Sequence, residues 1–162
     1  DLSALLADLG FEVAFSAPSG LMKLQSDQLV LEFLVPEIGP PKSKPYPLPQ
    51  LKFNAQTIRH LSMLLRKPMI VDVSGIPVKV PHPADYCLHK LFIYDRRKLP
   101  DKRKKDLESA LAVLEALKEK EGWKTLNEAF QDLTDKEKKR VLAALRENCY
   151  EAEKLLTTPS PQ

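Results

Sequence analysis

Glu32 sits in the middle of LVLEFLV (29–35), an apolar run of strand-forming residues. An ionised carboxylate is costly to bury unless a cation or a metal lies beside it. Period-two alternation sets Leu29, Leu31, Phe33 and Val35 on one face and Val30, Glu32 and Leu34 on the other. Glu32 is therefore either an ordinary acid on the outer face of a half-buried strand or a magnesium ligand. Magnesium takes carboxylate oxygens and shares itself with substrate phosphates. The second role needs further carboxylates close by, and none is adjacent in the sequence.

A second group lies in PADYCLHKLFIYDRR (83–97), which has helical spacing. Ala84, Cys87, Leu88 and Leu91 form its apolar stripe, while Tyr86, Lys90, Ile93 and Arg97 share another face with Tyr94 close to it. Lys90 and Arg97 are either surface cations with buried stems or a phosphate clamp, lysine as point charge and arginine as fork. His89 and Asp85 fall on the polar face, where a lone histidine reads as a surface residue.

The third is RRKLPDKRKK (96–105), with seven bases and one acid. The whole chain carries only +3, so this segment, at +6, leaves −3 for the rest. That asymmetry points to a local anionic partner. If Asp101 caps the next helix, Lys102, Arg103, Lys104 and Lys105 occupy its first turns, where the helix dipole disfavours cations. Either the helix begins nearer Asp106, or these cations serve an anion, or they are a solvated charge run. Asp106 itself suits an ordinary first-turn acid.

These residues need elements to hold them. DLSALLADLG (1–10) is a short helix stopped by Gly10, and FEVAF (11–15) is a strand. LMKLQ (21–25) and 29–35 form a hairpin around 26–28. A loop with six prolines follows over 36–49, and TIRHLSMLLRK (57–67) has the spacing of an amphipathic helix. MIVDV (69–73) and IPVKV (76–80) flank Ser74–Gly75, the signature of a tight hairpin. Prolines 77 and 81 favour an edge position for it. The remainder is helical over 84–97, from 101 or 106 to 121, near 124–131, and over 134–155. The fold class is α+β: a small mixed sheet with helices over 1–82, a helical bundle over 83–156, and a disordered tail at 157–162.

At 162 residues, with 29% charged and 43% hydrophobic content, the chain has the balance of a folded soluble domain. No apolar run is long enough for a membrane span. Cys87 and Cys149 show no metal spacing and suit reduced thiols in a cytoplasmic protein. Zinc spacings, a P-loop, a dinucleotide-binding glycine motif and a D-x-D strand are all missing. The chain opens at Asp1 inside a helical pattern, which reads as a piece of a longer protein.

In order, LGFEVAF (9–15), LVLEFLVPE (29–37), NAQTIRHL (54–61), VPHPADYCLHKL (80–91) and RRKLPDKRKKDL (96–107) resemble a nucleotidyltransferase-fold family. It belongs to the DNA-polymerase-β-like superfamily and is allied to the bacterial abortive-infection nucleotidyltransferase toxins. The resemblance covers about residues 1–117. It implies a helix at the "AQ" segment and three carboxylates holding Mg²⁺ ions, which bind a nucleoside triphosphate and activate an acceptor hydroxyl. It sets Glu32 at the third metal carboxylate, Lys90 near the triphosphate and Arg97, with Arg96 as the alternative, at the family's arginine. Asp106 matches the acid of the "KD" pair, with a catalytic role. The other two metal carboxylates have no counterpart here, so the fragment is expected to be inactive. RNA, tRNA or a protein is the expected acceptor; the oligomeric state is left open. The rival expectation is a non-catalytic module that binds nucleic acid or another polyanion through 96–105.

Overall fold

The computed structural model describes residues 1–16, 19–39, 44–120 and 122–157. The chain divides into two compact units, Asp1–Ser62 and Met63–Gln162. The division therefore falls before the 69–80 hairpin rather than after it at residue 82.

The first unit opens with helix α1 (Leu2–Leu6), capped by the Asp1 carboxylate, which accepts from the Ser3 and Ala4 amides. A single 3₁₀ turn ends at Gly10, whose φ of 75° supplies the left-handed stop. Strands β1 (Glu12–Ser16), β2 (Leu21–Gln25) and β3 (Val30–Leu31) form an antiparallel meander. The hairpin expected over 21–35 closes for only two residue pairs, Leu24 with Leu31 and Gln25 with Val30. Beyond it the chain leaves the meander and joins another sheet as β4 (Leu34–Pro36). LVLEFLV is thus two short strands, with Glu32 and Phe33 at the crossing between them.

The second sheet has the order β4, β6 (Phe53–Ile58), β5 (Tyr46–Leu48), with β4 parallel and β5 antiparallel to β6. Two expectations fail here. The proline-rich loop contains β5, its residues 40–43 lying outside the described ones. The segment given to a helix, 57–67 with the "AQ" motif before it, starts instead as the central strand β6. Phe53 and Ala55 are buried at period two, and that alternation between two pairing strands overrides the helical spacing further on. Only α2 (Leu61–Leu65) is helical. The unit's core is Leu2, Leu24 and Phe53, with Phe33 set edge-on to Phe53 at 5.0 Å between ring centres.

The second unit begins within α2. Its hairpin β7 (Met69–Val73) and β8 (Ile76–Val80) closes as expected at Ser74–Gly75, with φ of 54° and 84°. Two positive φ values in a two-residue loop match the twist of the paired strands. The helices are α3 (Pro83–Ile93), α4 (Pro100–Glu119), α5 (Trp123–Gln131), α6 (Asp135–Asn148) and α7 (Tyr150–Thr157). The single helix expected over 134–155 is therefore two, broken at Cys149, where ψ of 76° leaves the helical region. Thr157 ends α7, and the rest of the expected tail, 158–162, lies outside the described residues.

Helix α3 is the centre of this unit, packed against α4, α5 and α6. Its stripe of Ala84, Cys87, Leu88 and Leu91 is buried, as the spacing predicts. With helices on several sides, its polar face is buried too. Asp85 is 2% and His89 4% exposed, so His89 is not the surface residue it reads as in isolation. Asp85 is compensated by the Arg66 guanidinium at 2.5 Å.

Candidate functional site

Helix α4 starts at Pro100, which removes the possibility that it begins near Asp106. Asp106 lies in its second turn, on the stripe Asp106, Ala110, Leu114 and Leu117 that faces the core. A carboxylate thus occupies a position where spacing alone would favour leucine, and it is 4% exposed. It is not a first-turn surface acid.

Two cations satisfy it. Lys90, near the end of α3, pairs through Nζ with Asp106 Oδ1. After α3 the chain makes a 3₁₀ turn over Tyr94–Arg96 and turns extended at Arg97, with φ of −69° and ψ of 122°. That turn brings Arg97 Nε within 2.5 Å of Asp106 Oδ2. Each carboxylate oxygen therefore accepts from a different cation. Burial alone would raise the Asp106 pKa, but hydrogen bonds from Lys90 and Arg97, with their charges, hold it below the usual carboxylate value. Lys90 also lies 5.4 Å from the centre of the Tyr86 ring. Arg96 points elsewhere, its guanidinium 4.6 Å over Phe92.

The cluster carries one more positive than negative charge and keeps donors to spare. Lys90 offers three N–H groups and Arg97 five, of which Asp106 uses one each by the contacts above. With Nε engaged, the two terminal amino groups of Arg97 form the open end of the fork. The Lys90 and Arg97 side chains are 20% and 41% exposed, so solvent reaches both. Chemically this is an anion-binding arrangement whose cations are fixed from behind by a buried carboxylate.

Residues 102–105 of the basic run lie in the first two turns of α4, which has no side-chain cap. Lys102, Arg103, Lys104 and Lys105 are all exposed. Lys104 approaches Glu108 at 3.7 Å, while the Arg103 guanidinium lies 5.5 Å over the Tyr94 ring.

Glu32 belongs to the first unit. Its carboxylate is exposed and pairs with Lys23 of β2. Among the described residues no group of three or more His, Cys, Asp or Glu is placed to hold a metal ion. The Glu32 carboxylate is engaged by the Lys23 ammonium, and the Mg²⁺ centre that the resemblance implies calls for further carboxylates beside it. None of the described helices is long and apolar enough to cross a membrane.

Sequence reasoning missed the ion pair between Arg140 of α6 and Asp95, at 2.5 Å, and the Tyr94 hydroxyl donating to Glu147 at 3.3 Å. The signal was present: Arg140 and Glu147 stand seven residues apart, on one face of α6.

A family model described as Nucleotidyltransferase matches residues 1–135. No curated protein and no solved structure gives a significant match. The family match runs through all three described sheets, the Lys90–Asp106–Arg97 cluster and α5, so the chain belongs to a nucleotidyltransferase family, whose general reaction is nucleotidyl transfer with a nucleoside triphosphate as donor.

Proposed function

We propose that the turn between α3 and α4 holds the phosphates of the donor triphosphate during nucleotidyl transfer to an acceptor hydroxyl. The observation that carries this is the convergence of Lys90 and Arg97 on the single buried carboxylate of Asp106. In the transfer, the acceptor oxygen bonds to the α-phosphorus and the bond to the pyrophosphate oxygen breaks. Negative charge grows on the departing pyrophosphate, where pre-set cations stabilise it without reorganising. In this reading Lys90 and Arg97 take that role, and their shared ion pairs with Asp106 hold them in position.

Mg²⁺ belongs to this reading as an expectation of the resemblance, with Glu32 as its candidate ligand. Since Lys23 already engages Glu32, no step assigned to this chain runs through a metal. By the same reading the chain alone binds the donor without turning it over. The acceptor class, RNA, tRNA or protein, stays open within the proposal.

Calorimetric titration with ATP, GTP, CTP and UTP tests the reading. Saturable binding is expected for at least one, weakened about tenfold or more by Lys90→Gln and by Arg97→Gln, with circular dichroism unchanged. Equal affinity in the folded variants would remove these residues from the donor site.

A second reading is favoured by the exposure of Lys102, Arg103, Lys104 and Lys105 on one helix end: a surface that holds nucleic acid or another polyanion. Its mark is an affinity for single-stranded RNA that falls steeply with salt, with a slope reduced by neutralising 102–105. Salt-insensitive binding would count against it.

A further inference from the structure

Two adjoining hollows lie beside the α3–α4 turn, of about 200 and 330 Å³, and share Tyr94, Arg103 and Glu147 in their walls. One wall is the face of α6 that carries Arg140, Ala143, Ala144 and Glu147 at helical spacing. Two alanines between an arginine and a glutamate leave the floor open between opposite charges. The other wall is Tyr94, with Arg103 of α4 laid over its ring at 5.5 Å.

The charged groups are unevenly satisfied. Arg140 gives a terminal amino group to Asp95 at 2.5 Å, but its Nε is buried with no hydrogen-bond partner among the described residues. Such a donor calls for an acceptor. Arg103 makes no ion pair with a carboxylate among the described residues. Among the described residues Glu147 accepts from the Tyr94 hydroxyl alone, at 3.3 Å, which is long for an O–H···O bond and leaves most of the carboxylate's capacity unused.

We propose that this hollow binds a small zwitterion, its anionic group held by the guanidinium groups of Arg103 and Arg140 and its ammonium group held by Glu147. A polyanion meets Asp95 and Glu147 in the same walls, and a simple cation meets two guanidinium groups. A molecule carrying both signs satisfies each end. The volumes are at or below the small end of those that enclose organic ligands. This site shares no residue with the Lys90–Asp106–Arg97 cluster, so it stands or falls independently of the donor reading.

The test uses the whole 162-residue chain, ¹⁵N-labelled and titrated with ω-amino acids from glycine to 6-aminohexanoate. Inorganic phosphate, acetate and butylamine are run beside them. Saturable shifts at the amides of Arg103, Ala143 and Ala144 are expected for one chain length. That affinity should exceed acetate and butylamine by about tenfold or more. Arg103→Gln and Glu147→Gln should each weaken it by a similar factor. Ala143→Phe, at an exposed position on the floor, should block it while the spectrum elsewhere is kept. Phosphate binding as well as the best zwitterion, with no response to Glu147→Gln, would reduce the hollow to a basic surface and overturn the proposal. So would the absence of saturable shifts with every amino acid tested.

Discussion

Arg97 Nε lies 2.5 Å from Asp106 Oδ2, across the turn that joins α3 to α4. Lys90 holds the other oxygen of the same carboxylate. Removing the acid leaves two cations side by side with no anion between them. Breaking a buried charged group in this way costs about 3–5 kcal/mol when nothing can relax. Here Lys90 and Arg97 both reach solvent, so Asp106→Asn is expected to cost about 2–3 kcal/mol in urea denaturation, at the lower end of that range or just under it. The variant should also weaken triphosphate binding, because the two cations lose their common anchor. A loss of binding with no loss of stability would mean that Asp106 touches the ligand rather than positioning its holders.

The same carboxylate sets a pH dependence. Its folded pKa lies below its unfolded value, since the Lys90 and Arg97 contacts outweigh the effect of burial. A depressed acid contributes stability that is fully present above the unfolded value, about 4, and is lost as pH falls through the folded one. The stability gap between wild type and Asp106→Asn should therefore be constant from pH 7 to about 5 and close at lower pH. Denaturation midpoints of both proteins across pH 7 to 2 measure it. A gap that persists at the acid end would show that the ion pairs are not its source.

The thiols should behave differently. Cys87 is fully buried in α3 and donates to the Ala110 carbonyl at 3.4 Å, whereas Cys149 is half-buried at the α6–α7 break. Burial, with a smaller contribution from Cys149, pushes the Cys87 pKa up to about 12, and the thiolate is the reactive form. With a chromogenic disulfide at pH 8, the native protein should release one equivalent, from Cys149, and a second only on unfolding. Cys149→Ser should then show no native reaction. Fast labelling of Cys87 in the folded protein would contradict the packing of α3 against α4.

What the sequence made legible follows from how local each signal is. The Ser74–Gly75 turn is set by two residues that accept positive φ, and it was readable. The α3 stripe was readable for the same reason, whereas Lys90 and Arg97 do not share a helix face as the spacing suggests: α3 stops at Ile93, short of the helix expected to 97, and Arg97 reaches Asp106 from extended chain after a 3₁₀ turn. Strand β6 was not readable, because its character comes from β4 and β5 on either side, while the leucines after it mimic a helix period. Asp85, His89 and Asp106 read as surface groups because a single helical wheel cannot show that α3 has neighbours on several sides. Glu32 was placed on its outward face correctly, but its partner, Lys23, lies on a strand whose register the sequence does not specify.

Glu32 gives the test that separates a metal ligand from a surface ion pair. Its carboxylate and the Lys23 ammonium are each about two-fifths exposed, and pairs of that kind contribute roughly 0–1 kcal/mol. Magnesium dehydrates reluctantly and takes one or two carboxylates together with substrate phosphates. A single acid that must first release an ammonium offers it little. Mg²⁺ alone is therefore expected to show no saturable binding below millimolar concentration, with Glu32→Gln indistinguishable from wild type in calorimetry and within about 0.5 kcal/mol in stability. Repeating the titration with triphosphate present asks whether the ligand completes a site. If Mg²⁺ then tightens triphosphate binding in wild type and fails to do so in Glu32→Gln, the carboxylate leaves Lys23 for the metal, and Lys23→Ala should tighten it further. If both proteins respond alike, Glu32 is a structural acid and the metal rides on the phosphates alone.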